Sequence, residues 1–195
     1  MRKNIMGRSK LNILDILSER YSPRAFSERD VTDAELELLL EAARWAPSSM
    51  NEQPWRFLVV RRTGVGHAAL LECLNTSNRR WADKAPVLIA VLAKRTLTRN
   101  GLENFHARHD VGLAVGQLLA QATSMGLGLH ILGGFNTTAL RAAFAVPEEL
   151  DVVSVLVLGF PGAPESLEPD LRERENTRST RKPLSELVSY GHLGE

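Results

Sequence analysis

An α+β fold is predicted by three observations. Segments with helical spacing dominate the chain, only four strand-like segments interrupt them, and both ends read as long arms with the reach to meet a partner subunit. With 195 residues there is room for one domain and not for two. Hydrophobic residues at 44% and charged residues at 24% supply a core and exclude disordered or low-complexity architectures.

The elements follow in order. Residues 1–10 form a basic tail, predicted to be flexible, and residues 11–195 the single domain. Leu11 to Arg20 carries a helical stripe at Ile13, Leu14, Ile16 and Leu17, which stops before Pro23 because proline disfavours helical geometry in Ser22. Thr32 and Glu35 have the spacing of a capping box ahead of Leu36, Leu39, Leu40 and Ala43, a second helix that ends near Pro47. Trp55 to Val60 has strand composition, Ala68 to Leu74 reads as a short helix, and Ala85 to Ala93 as a strand buried on both faces. Phe105 to Met125 is the longest helix, with Gly112 and Gly116 one turn apart on a face open to another backbone. Strands at Leu127 to Leu132 and Val152 to Phe160 flank a helix from Thr138 to Phe144. Pro161 to Lys182 reads as an extended arm before a last short helix at Leu184 to Tyr190.

Charge and composition remove several functions. The formal charge of +1 rests on Arg2, Lys3, Arg8 and Lys10; without those four, 20 basic side chains face 23 acidic ones, or −3, a poor polyanion binder. Nucleic acid is therefore not expected as a partner. The longest apolar stretch, Val87 to Ala93, is far short of the roughly 18 residues a membrane helix needs, and the basic start lacks the apolar region of a secretory signal. A single cysteine, Cys73, fits a reducing cytoplasm and reads as a buried structural thiol.

Two motifs have plain readings. Gly64 to Ala69 matches the form G-x-G-x-x-A, but Arg61, Arg62 and Thr63 separate it from the preceding strand, so it reads as a β-to-α turn rather than a dinucleotide fingerprint. His106, His109 and Asp110 could be drawn as metal ligands, but His106 and His109, three apart at a helix start, read as a solvated face.

Two other motifs carry more. In Arg20-Tyr21-Ser22-Pro23-Arg24 the chain is extended past a helix end, so two guanidiniums and a hydroxyl are placed to converge on one phosphate; the plain alternative is a helix-end charge. In Ala46 to Trp55, Pro47 and Pro54 fix the backbone around Ser48, Ser49, Asn51 and Gln53, a rigid polar run able to read a heteroaromatic edge. Gly133 and Gly134 follow a strand and let the backbone lie flat against a planar ligand; the plain alternative is a β-bulge or a tight turn into the helix at Thr138.

The succession R-x-S-x-R-x-F (Arg20 to Phe26), A-P-S-S-x-N-x-Q-P-W-x-F (Ala46 to Phe57), G-L-G-x-x-x-x-G-G-F (Gly126 to Phe135) and R-K-P-L (Arg181 to Leu184) resembles the nitroreductase family of FMN-dependent oxidoreductases. The resemblance implies a central, mostly antiparallel sheet flanked by helices, with terminal arms exchanged in a homodimer that binds FMN at its interface. It assigns Arg20, Tyr21, Ser22 and Arg24 to the phosphate and ring edge, with Arg181 completing the phosphate site and Arg178 and Lys182 as alternatives. Asn78 would hydrogen-bond the flavin pyrimidine. Pro47, Ser48, Ser49 and Asn51 would come from the other subunit, and the Gly133 and Gly134 N–H groups would address flavin N5 and O4. The implied activity takes a hydride from NADH or NADPH and passes it to a nitroaromatic, quinone or enone, with no side chain needed as acid or base. Alternatives are a flavin-handling or reductively dehalogenating relative, or a flavin-binding protein without catalysis; the chain lacks the long insertion with which larger relatives cover the flavin.

Overall fold

In the computed structural model, which describes residues 11–177 and 180–193, four strands form one antiparallel sheet in the order β1-β2-β4-β3. These are β1 (Trp55–Arg61), β2 (Val87–Lys94), β3 (Gly128–Leu132) and β4 (Leu150–Gly159). Register is set by pairs such as Val59 with Ile89, Ala90 with Val155 and Ile131 with Leu156. Helices cover both faces, so the central strand β2 has no solvent side, and this is why its sequence is continuously apolar instead of alternating.

The helices are α1 (Asp15–Glu19), α2 (Asp33–Arg44), α3 (His67–Cys73), α4 (Thr76–Ala82), α5 (Ala107–Ser124), α6 (Thr137–Ala143) and α7 (Pro169–Asn176). Val87, Ile89, Val91 and Ala93 point to one face, where Leu36, Leu39 and Ala43 of α2 and Val111, Ala114 and Leu118 of α5 pack over them. Leu88 and Ala90 point to the other, against Leu70, Trp81, Leu140 and Leu171 from α3, α4, α6 and α7. The chain is thus helices, sheet and helices, with two cores separated by the sheet. The capping box forms as its spacing predicts: Thr32 Oγ1 accepts from the Glu35 N–H at 3.2 Å, and the Thr32 N–H donates to Glu35 Oε2 at 2.9 Å. Gly66, at φ 88°, starts α3 where an added Cβ would lie 2.8 Å from the Phe144 ring, so the second glycine of the G-x-G motif is explained by turn geometry and close packing.

The predicted α+β class and antiparallel sheet are borne out, with four local corrections. The first helix runs only from Asp15 to Glu19, because its apolar residues have no core to cover within this chain: Ile13, Leu14 and Leu17 are exposed. The stretch read as an extended arm from Pro161 to Lys182 contains a 3-10 turn (Pro164–Ser166) and α7. The last predicted helix is only a 3-10 turn, Leu184–Glu186. Helix α4 has no counterpart in the sequence reading. The basic tail 1–10 and Arg178 lie outside the described residues.

Candidate active site

Residues 20–24 lie against the edge strand β3. Arg20 Nη1 donates to Ser22 Oγ at 3.3 Å, so guanidinium and hydroxyl lie side by side as the motif predicts. Pro23 is buried on Gly128, where an added Cβ would collide with its ring. The segment is also held by groups the sequence did not disclose. The His130 imidazole, mostly buried in β3, bonds the Pro23 carbonyl through Nδ1 at 2.9 Å and lies 4.7 Å from the Trp81 ring. Burial, aided by Arg24 and Arg174, pushes the His130 pKa down to about 4 although the Pro23 carbonyl opposes the shift, so the ring is neutral at pH 7. Because a carbonyl can only accept, Nδ1 carries the proton. On α7, the buried Glu175 accepts the Arg24 N–H at Oε2, 2.8 Å away. Burial and Arg174 lower the Arg24 pKa, Glu175 opposes them, and an arginine so placed keeps its charge.

The same edge holds Asn78 and the glycine pair. Asn78, on α4 one turn before Trp81, donates from Nδ2 to the Gly134 carbonyl at 3.2 Å, and the Asn75 N–H reaches the same oxygen at 3.1 Å. The structure therefore brings Asn78, Gly133 and Gly134 together, and links them through Trp81 and His130 to the arginine segment. The two glycines differ. A Cβ at Gly134 would collide with the Asn75 amide and lie 2.9 Å from Asn78, whereas one at Gly133 would meet nothing within 4 Å. Packing alone thus accounts for Gly134; Gly133 is left with an open, exposed face.

Pro47, Ser48, Ser49 and Asn51 lie elsewhere. They precede β1, at the opposite edge of the sheet from β3. Three strand spacings of about 4.8 Å separate the edges. Ser48 Oγ accepts from the Gln53 N–H at 3.0 Å, and the Ser49 N–H donates at 2.9 Å to Asp110 Oδ2. Asp110 is 3% exposed, and its other oxygen pairs with His109 Nδ1 at 2.9 Å. The carboxylate in the His106, His109, Asp110 group is therefore a buried anchor for the polar loop. Met50, Asn51 and Gln53 have φ of 55°, 56° and 48°, three non-glycine residues at positive φ around a right-handed Glu52, which the surroundings must hold in place. Arg181, on the exposed C-terminal segment, donates to the Thr180 carbonyl at 3.4 Å, and Lys182 pairs with Glu186 at 3.3 Å. Cys73 is buried, donates to the Ala69 carbonyl, and has its thiol pKa raised by burial, as expected of a structural thiol.

Known proteins share this architecture. A crystal structure of an oxidoreductase containing FMN superimposes with a TM-score of 0.92, at 28% identity over 100% of this chain and 99% of its own. A protein of Methanothermobacter thermautotrophicus, provisionally named NADH dehydrogenase/NAD(P)H nitroreductase, is 30% identical over 83% of this chain and 86% of its own. An iodotyrosine deiodinase of Thermotoga neapolitana is 25% identical over 80% of this chain and 92% of its own. The profile of the nitroreductase family matches residues 17–79 and 72–160, which take in the arginine segment, the polar loop, Asn78, the glycine pair and all four strands. With both halves of the sheet and every motif but the last inside that match, the chain belongs to the nitroreductase family.

Proposed function

We propose that this protein is a homodimeric, FMN-dependent oxidoreductase that takes a hydride from NADH or NADPH and passes it to a small acceptor. The observation that carries this reading is the gathering of Arg20, Ser22, Arg24, Asn78 and Gly133 along one edge of the sheet through His130 and Trp81. The donor set suits FMN: guanidiniums and a hydroxyl for a single phosphate, a side-chain amide for a pyrimidine edge, and an open glycine backbone for a flat ring. Arg20, Tyr21, Ser22 and Arg24 would hold the phosphate end, with Arg181 the C-terminal candidate. FMN, when bound, supplies the hydride chemistry. The backbone N–H groups of Gly133 and Gly134 would donate where negative charge develops on reduction, as fixed oxyanion-type donors do.

The polar loop supports the dimer. Pro47, Ser48, Ser49 and Asn51 flank the opposite sheet edge from the other groups, and a second copy would deliver them to those groups. Exposed apolar residues supply surface for such a contact: Ile13, Leu14 and Leu17 at the N-terminal arm, Leu184, Leu187 and Tyr190 at the C-terminal one, and Leu113 between Gly112 and Gly116 on α5.

Among the described residues, no helix is long and apolar enough to cross a membrane. A reducing cytoplasm suits the single thiol. Nitroaromatics, quinones and enones are the acceptors we infer. The deiodinase likeness favours a second reading, reductive removal of halogen from an aromatic ring. Steady-state assays with each acceptor class and with iodotyrosine separate the two: turnover of iodotyrosine alone would replace the first reading by the second.

A further inference from the structure

Pro23 C=O and Arg24 N–H belong to one peptide unit, and both of its polar ends are held by side chains from elsewhere in the fold. His130 Nδ1, on β3, bonds the carbonyl at 2.9 Å, while Glu175 Oε2, on α7, accepts the N–H at 2.8 Å. This peptide is the last of Arg20-Tyr21-Ser22-Pro23-Arg24, and it sets where Arg24 leaves the chain. Rotation of its plane would break both bonds, take these partners from the buried Glu175 carboxylate and the partly buried His130 ring, and swing Arg24 relative to Ser22 and Arg20.

Both holders are themselves fixed. His130 is wedged on Trp81 of α4. Helix α7 buries Leu171 in the second core, and it is tied to α4 by Arg80, whose guanidinium donates to both Asp170 oxygens at 2.7 and 3.0 Å and also pairs with Glu168. Helix α4 carries Asn78 as well, so one braced unit spans the amide placed for the ring and the peptide placed for the phosphate.

We propose that His130 and Glu175 are positioning residues that clamp the Pro23–Arg24 peptide in the one orientation from which Arg20, Ser22 and Arg24 reach a phosphate together. Neither touches the ligand. The role of Glu175 is notable because its charge alone would repel a phosphate; its contribution is geometric, as an acceptor for the N–H. The inference rests on the reading that this segment binds the FMN phosphate.

The test uses the full chain stripped of flavin, titrated with FMN and with riboflavin, which has no phosphate, by flavin fluorescence and with melting temperatures recorded in parallel. Glu175→Ala is expected to weaken FMN about tenfold and His130→Phe, which keeps a ring on Trp81, about fivefold, with riboflavin affinity unchanged. Glu175→Gln keeps an acceptor and is expected to stay within about twofold of the parent. The double variant is expected to be little worse than Glu175→Ala, because both residues hold the same peptide. Tighter FMN binding by Glu175→Ala, independent additive losses, or FMN and riboflavin affinities that fall together with the melting temperature would each overturn the clamp. If the parent does not prefer FMN to riboflavin, the phosphate reading itself fails and the clamp with it. If Glu175→Ala does not fold, Glu175→Gln and His130→Phe decide by the same FMN-to-riboflavin ratio.

Discussion

At the scale of single residues, the proposed phosphate end would rest on charge-assisted hydrogen bonds. Arg20→Ala is expected to weaken FMN retention by about 2–3 kcal/mol, the cost of such a bond lost at a desolvated site. Stoichiometric FMN after exhaustive dialysis of the variant would reduce Arg20 to a helix-end charge. The glycine pair gives a cleaner test than its sequence suggests. Gly134→Val collides with the Asn75 and Asn78 amides and is expected to lower the melting temperature, whereas Gly133→Val has open space and is expected to leave stability and circular dichroism intact while slowing flavin reduction or releasing FMN. An unchanged reduction rate and flavin content in Gly133→Val would make the pair a turn.

His130 adds a pH dependence whose sign is fixed. Its pKa is about 4 when folded, against an ordinary value of 6.5, so between those pH values the unfolded chain binds more protons. Its contribution is intact above pH 6.5 and is lost as pH falls toward 4, by about 3 kcal/mol in all. Denaturant melts of the parent and His130→Phe across this range are expected to converge as pH falls; parallel curves would contradict a buried neutral imidazole. This residue was not legible in the sequence: nothing near His130 announces a partner 107 positions away.

At the scale of elements, legibility followed the strength of the apolar pattern. Strand β2 was readable because both its faces are buried, and α2 because its cap and stripe agree. Helix α4 was not, because Thr76-Ser77-Asn78-Arg79-Arg80 has no apolar stripe and only Trp81 and Ala82 are buried; the available signal was Asn75, whose side chain caps the Asn78 N–H. Helix α7 is masked in the sequence by its many charges and by Pro169, which occupies the first helical turn, where proline is tolerated. The motifs of the site were legible because they are local. The holders of those motifs, Asp110, His130 and Glu175, act across the fold and were not.

The polar loop before β1 gives an element-scale prediction. Met50 is exposed and left-handed, so Met50→Gly removes strain and no packing. The apoprotein is expected to gain up to about 1 kcal/mol, offset partly by the larger entropy of glycine when unfolded, as read by denaturant melts. A loss of comparable size would show that the Met50 side chain makes contacts beyond this chain.

At the scale of the whole molecule, the sheet separates the candidate groups onto two edges, and in the proposed homodimer a second copy would reunite them. Light scattering is expected to find a dimer at low concentration. A monodisperse monomer retaining FMN would contradict that arrangement. Presentation of FMN to a nicotinamide nucleotide is read by mixing the FMN-loaded protein with NADH or NADPH in the absence of oxygen while following the flavin absorbance. Rapid bleaching of the oxidised flavin band is expected with at least one of the two nucleotides; a band that persists with both, on protein that demonstrably holds FMN, would show that no hydride passes from nicotinamide to the flavin.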